Sequence, residues 1–272
     1  GASGIFLAIV RGGRYNEANE AKASGEGMAV REEGFAGAAV AELRARIEAV
    51  RARIRQAAER SGRDPATVRL VLATKTVPAT RLRAAALAGA TAFGENRAQE
   101  LRDKAPALSD LEVEWHFIGH LQTNKVKDVL PYIRLLHSLD RPTLAEALNR
   151  RLEREGRTLE VLLQVNTSGE ESKFGVAPEA ALPFYKEVVR LPALRVRGFM
   201  TIGAHTNDEA AVRESFRRLR EIRDRALALG LGETPPVELS MGMSGDLELA
   251  VEEGATIVRV GSAIFGPRPP AG

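Results

Sequence analysis

Lys75 closes the apolar run Val68-Arg69-Leu70-Val71-Leu72-Ala73-Thr74 and stands just before Val77-Pro78. A strand that delivers a lysine at its carboxyl end puts a flexible amine in the mouth of an α/β fold, where ligands bind. Desolvation lowers the pKa of such an amine and lets it condense with an aldehyde or ketone as a Schiff base. The alternative is an exposed lysine at a strand end. Far along the chain, Ser240-Met241-Gly242-Met243-Ser244 and Arg259-Val260-Gly261-Ser262 each follow a short apolar run. Glycine and serine there leave backbone N–H groups facing outward and add a hydroxyl, which suits a phosphate. Ser240, Ser244, Gly261 and Ser262 are the candidate donors; Gly242, Gly245 and Gly261 could equally make tight turns and caps. In Ile257-Val258-Arg259-Val260, strand alternation sets Arg259 on the face opposite Val258 and Val260. An inward arginine needs a partner with a lone pair or negative charge, either a carboxylate or a ligand nitrogen.

These residues need elements that hold them. Val40, Leu43, Ile47, Val50 and Ile54 recur every three or four residues, predicting a helix over Val40 to Arg60 that stops at Ser61-Gly62. After the strand ending at Lys75, short strands are expected at Thr91 to Phe93, Glu114 to Ile118, Arg134 to Ser138, Leu159 to Val165, Leu194 to Ile202, Val237 to Leu239 and Ile257 to Val260. Helical segments separate them, among them Asn96 to Lys104, Thr143 to Glu155, Glu209 to Leu229 and Asp246 to Glu253. Eight strands alternating with helices imply parallel pairing and a single closed (β/α)8 TIM barrel, preceded by the N-terminal helix. The barrel domain is expected over residues 39–268, with a flexible, glycine-rich extension over 1–38 and a tail over 269–272.

Composition narrows the chemistry. The 272 residues include no cysteine, so there is no disulfide framework, thiolate metal site or catalytic thiol, which fits a reducing cytoplasm. Basic and acidic residues number 39 and 36, and Arg44, Arg46, Arg51, Arg53 and Arg55 fall among glutamates on a helix, reading as a solvated face and not as a nucleic-acid track. No stretch approaches the roughly 18 apolar residues of a membrane span. Ile5 to Val10 is apolar but is followed, not preceded, by Arg11, the wrong order for a signal peptide. His116 and His120 are four apart, but Phe117-Ile118-Gly119 between them reads as strand to turn, so no metal pair is expected; hydrogen bonding by one of them is expected to order the loop after the third strand.

A carbonyl-reactive lysine, a phosphate cradle and an inward arginine together match pyridoxal 5′-phosphate (PLP), which carries an aldehyde, a phosphate and a ring nitrogen. Over residues 40–268 the chain resembles the pyridoxal phosphate homeostasis protein family. The resemblance rests on Ala73-Thr74-Lys75-Thr76, Phe93-Gly94-Glu95-Asn96, Trp115 through Lys125, Lys173-Phe174-Gly175, Ser240 through Ser244 and Val258 through Gly266.

The resemblance implies a barrel like the N-terminal domain of alanine racemase, with PLP held as a Schiff base on Lys75. It further implies Asn96 beside the cofactor, Arg259 facing the pyridine nitrogen, Ser240, Gly261 and Ser262 on the phosphate, and Met243 and Ser244 close by. Members act in intracellular homeostasis of PLP, and through it of amino-acid and keto-acid pools, without established catalysis; PLP-dependent apo-enzymes are the implied partners, and a cytoplasmic monomer is expected. The alternative is a PLP-dependent amino-acid racemase. An arginine at the ring nitrogen leaves it unprotonated and weakens the ring as an electron sink. A racemase then needs a tyrosine base, whereas Tyr132 and Tyr185 are both expected on or beside helices. Thr74 stands where serine is frequent, Arg97-Ala98 where an aromatic and a small residue are usual, and Gly245 where a second acid commonly precedes Asp246.

Overall fold

The computed structural model describes residues 13–171 and 174–267. Eight strands, β1 (Arg69–Ala73), β2 (Ala92–Glu95), β3 (Glu114–Phe117), β4 (Ile133–Leu139), β5 (Leu159–Gln164), β6 (Leu194–Met200), β7 (Glu238–Ser240) and β8 (Ile257–Val260), close into one barrel in chain order. All neighbours are parallel, and β8 returns to β1 with Val71 opposite Arg259 and Leu72 opposite Val260. Between them run α2 (Ala79–Leu87), α3 (Ala98–Ala107), α4 (Val126–Val129), α5 (Pro142–Arg154), α6 (Pro178–Val188), α7 (Glu209–Leu229) and α8 (Leu247–Glu252), with the short α9 (Ser262–Phe265) after β8. This is the expected (β/α)8 alternation. Boundaries move at the ends that matter: β2 extends through Gly94 and Glu95, and Arg97 stays extended, so α3 starts at Ala98 and not at Asn96.

Inside the barrel, Val71, Ala92, Leu135, Leu162, Met200 and Ile257 form a buried apolar layer. Parallel strands covered by helices bury both faces, which is why β8 is buried at all four positions. Two residues beyond Ile257 and Leu135, on the same inward faces, stand Arg259 and His137. The apolar layer is therefore the floor beneath the polar groups at the carboxyl ends of the strands.

The first helix, α1, spans Gly13–Arg60 and begins far before the expected Val40. Residues 13–39 have no three-to-four apolar stripe; they are rich in alanine and glutamate, both strong helix formers, although five glycines work against them. Of the extension expected over 1–38, residues 1–12 lie outside the described residues, as does the tail. The chain divides between Glu42 and Leu43 into two units, and the larger carries the whole barrel together with the last turns of α1. There, Leu43, Ile47, Val50, Ile54 and Ala57 are buried, as the periodicity requires. The arginines of this helix refine the solvated-face reading: Arg44 and Arg55 are exposed, while Arg46, Arg51 and Arg53 are half-buried. Arg44 and Arg51 donate to the carbonyls of Leu87 and Gly89, and Arg46 to that of Ile264. Arg53 pairs with Glu248 and donates to the Ser244 carbonyl at 2.7 Å. Sequence periodicity marks which face of a helix is polar but not which distant carbonyls that face meets. Among the described residues no helix is long and apolar enough to cross a membrane.

Candidate active site

A cavity of about 370 Å³ opens at the carboxyl ends of the strands, lined by Ala73, Lys75, Asn96, Ile118, Ile202, Met243, Ser244, Gly245, Arg259, Gly261 and Ser262. Seven of the eight sequence-derived site residues meet there, drawn from the ends of β1, β2, β7 and β8. The volume lies at the lower end of the range for small-ligand sites.

Lys75 is exposed at the rim. Its successor Thr76 has a φ of 66°, in the left-handed region that a β-branched residue adopts only under constraint. The constraint is visible: the Thr76 N–H donates to Glu100 Oε2 at 2.9 Å. On the other side of Lys75, Thr74 is fully buried; its Oγ1 donates toward Glu95 Oε1 at 2.8 Å, and its carbonyl accepts from Lys104 Nζ at 2.9 Å. Lys104 also reaches Glu95 Oε1 at 2.7 Å and Glu100 Oε2 at 2.6 Å. One buried ammonium thus ties β1, β2 and α3 together around the backbone that carries Lys75. Glu95 is fully buried, and its Oε2 has no hydrogen-bond partner. Burial pushes the Glu95 carboxyl above its ordinary range, with Lys104 pulling it back. Burial acts the same way on Glu100, but Lys104 and the Thr76 N–H outweigh it and hold Glu100 below its ordinary range.

Arg259 is 3% exposed. Its Nη1 donates to Ser240 Oγ at 2.6 Å and its Nη2 to the Thr201 carbonyl at 3.1 Å. Burial lowers its pKa to about 10, opposed by the charge of Asp246, so the guanidinium stays protonated at neutral pH. Among the described residues no carboxylate forms an ion pair with it. A buried cation on a cavity wall without a carboxylate partner is a docking point for a ligand lone pair or anion.

Ser240 is the one sequence-derived residue off the cavity wall. It is fully buried beneath Arg259, with Oγ shared between that side chain and His137. Ser244 accepts the Ala263 N–H on Oγ at 3.1 Å, which binds the loop after β7 to α9. The histidine expectation is corrected: His116 points into the barrel, bonded to His137 and Glu114, while His120 stacks on Phe174 with ring centroids 4.1 Å apart.

The family described as alanine racemase, N-terminal domain, matches residues 45–269. The pyridoxal phosphate homeostasis protein of Aquifex aeolicus is 45% identical over 223 residues, covering 82% of this chain and 97% of the relative. That of Pseudomonas aeruginosa is 47% identical over 222 residues, covering 82% and 94%. This chain belongs to the pyridoxal phosphate homeostasis protein family. Among solved structures, an unknown protein from Bifidobacterium adolescentis superposes with a TM-score of 0.81 at 43% identity, covering 84% of this chain and 96% of that one. PipY of Synechococcus elongatus, solved with PLP bound, gives a TM-score of 0.73 at 33% identity, covering 83% and 100%. Alanine racemase of Streptomyces lavendulae shares the fold alone, at 19% identity and a TM-score of 0.68.

Thr74, where the family often has serine, keeps the hydroxyl bond to Glu95. Ala73, Ile118, Ile202 and Gly245 line the cavity and were missed by sequence reasoning; the first three are apolar wall, and apolar residues at strand ends carry no chemical signal of their own. Gly119 was also missed as a positioning residue. A Cβ there would meet the Asn96 carbonyl oxygen at 2.5 Å and its Cα at 2.8 Å, so only glycine lets the loop after β3 pass so close to Asn96.

Proposed function

We propose that this protein binds PLP and serves its homeostasis, attaching it at Lys75 without turning over a substrate. The observation that carries the reading is the pairing, in one cavity, of an exposed lysine amine with a buried arginine that has no carboxylate partner. When bound, PLP supplies an aldehyde able to condense with Nζ of Lys75. Asn96 and Met243 flank the cavity, Arg259 faces the ring nitrogen, and Ser244, Gly261 and Ser262 suit the phosphate. Ser240 serves through Arg259 instead of touching the phosphate. Relatives named for PLP homeostasis, and PipY with PLP bound, support the assignment. Cytoplasmic PLP-dependent apo-enzymes are the partners this reading implies.

The racemase alternative has less support. Tyr185 is fully buried, with its hydroxyl on the Leu231 carbonyl at 3.3 Å, and neither it nor Tyr132 lines the cavity. A second acid or base poised over a bound amino acid is therefore not supplied by either residue.

The deciding experiment is absorption spectroscopy with borohydride trapping. PLP should give a visible band in the wild type, and reduction followed by peptide mass mapping should find the adduct on Lys75. Lys75→Ala should lose band and adduct and bind PLP about tenfold or more weakly, ~1.4 kcal/mol. An unchanged spectrum in Lys75→Ala would sink the proposal, and chiral analysis showing Lys75-dependent racemisation would replace it with the alternative. Gly119→Ala should also weaken PLP binding, by displacing Asn96, at a folding cost of about 1–3 kcal/mol in urea titration. Equal affinity in that variant would remove Asn96 from the site.

A further inference from the structure

A line of hydrogen bonds crosses the barrel from its amino-terminal face to the cavity. Glu114, the first residue of β3, has a side chain 47% exposed, and its Oε2 lies 3.2 Å from His116 Nε2. His116 Nδ1 is 2.8 Å from His137 Nε2, and His137 Nδ1 is 2.8 Å from Ser240 Oγ. Arg259 completes the line at 2.6 Å from the same oxygen. His116 and His137 are 1% and 0% exposed.

The two ends dictate the direction. A guanidinium can only donate and an ionised carboxylate can only accept. Ser240 Oγ accepts from Arg259, so its single proton goes to His137 Nδ1. His137 must then donate from Nε2 to His116 Nδ1, and His116 from Nε2 to Glu114. Both rings are neutral with the proton on Nε2, and every donor points from the cavity toward the exposed face. The surroundings agree. His116 faces Glu114, Arg69, Arg134 and His137, and its burial, helped by the arginines, outweighs the pull of Glu114 toward an imidazolium; His137 faces His116, Arg259 and Arg69, and burial and these charges resist one there too.

Resting on the PLP reading of the cavity, we propose that Glu114, His116, His137 and Ser240 are positioning residues for Arg259, a one-way relay that holds its guanidinium and links the cavity to the opposite face of the barrel. Nitrogen-15 labelling of histidine in the whole chain tests it, because four histidines keep the spectrum assignable. In protein without added PLP, long-range proton–nitrogen correlations at pH about 7 should show His116 and His137 as neutral Nε2–H tautomers. Glu114→Gln, at the exposed end, should move the His137 nitrogen signals although it does not touch that ring, and should change PLP affinity about threefold or more, ~0.7 kcal/mol. Ser240→Ala should perturb both rings, and Ser240→Thr should restore them. An Nδ1–H tautomer on either ring, or His137 signals unmoved by Glu114→Gln, overturns the relay. PLP should shift the His137 signals in the wild type, and binding that leaves them unmoved also overturns it. If PLP does not bind at all while the ligand-free tautomers and the Glu114→Gln response stand, the PLP reading falls and the relay onto Arg259 remains.

Discussion

Replacing Lys104 by methionine is expected to destabilise the fold by about 3–5 kcal/mol, measured as the shift in urea unfolding free energy. The ammonium is the shared partner of Glu95, Glu100 and the Thr74 carbonyl, and Glu95 is fully buried with one oxygen already unpaired. Removing one member of a buried ionic set leaves the others uncompensated, which costs far more than the set contributes when intact. Methionine keeps most of the aliphatic volume, so loss of packing is a small part of the effect. Adding Glu95→Gln should recover a sizeable share, because the charge that Lys104 neutralised is then gone; a double variant as unstable as the single one would refute this account. The segment Thr74 to Thr76 should also loosen, since two of its tethers run through Lys104 and through Glu100, which Lys104 holds.

That cluster illustrates what the sequence could and could not disclose. Lys75 and Arg259 were legible because each is a polar residue set into or just after an apolar strand, where a period of two assigns its face. The barrel was legible because short apolar runs alternate with helical segments eight times along the chain. Ser240 shows the limit. Its type and neighbourhood fit a phosphate loop, yet it is the last residue of β7, pointing inward, where Arg259 claims its oxygen. The tethers of Lys75 come from residues 20 to 30 positions away on other elements, and Arg53 meets Ser244 across 191 positions. Such pairings follow from closing the barrel, and no local period encodes them. The start of α1 was missed for the opposite reason: residues 13–39 are helical without the three-to-four apolar stripe that marks a packed face.

Acid should destabilise this protein well before ordinary carboxylates titrate. Burial holds His137 well below the usual histidine pKa; it also lowers His116, with the bond to Glu114 partly opposing it. The folded state therefore binds fewer protons than the unfolded chain. Stability is fully present above the unfolded histidine pKa, about 6.5, and falls as pH drops below it until each folded pKa is reached. For each histidine that stays neutral the slope starts at about half of 1.4 kcal/mol per pH unit at pH ~6.5 and approaches 1.4 below it, so the two together lose about 2 kcal/mol between pH ~6.5 and ~5.5. The loss should be shorter-ranged for His116, whose carboxylate neighbour welcomes a proton. Urea titrations across this interval measure the slope directly, and His137→Gln should flatten it by one histidine's share whatever it does to absolute stability. A wild-type slope near zero would mean that the buried pair takes up protons as readily as the unfolded chain.

The grip of Arg53 on the Ser244 carbonyl makes the first helix a party to events in the cavity. Ser244 is cavity wall on one side and the helix's anchor on the other, so any ligand that stiffens this loop also lowers the freedom of α1 to peel away around Arg53. By reciprocity, a helix that is already docked presents a loop with less entropy left to lose, and the ligand meets a wall that is ready for it. An element with no residue in the cavity can in this way set how tightly the cavity closes on what it holds.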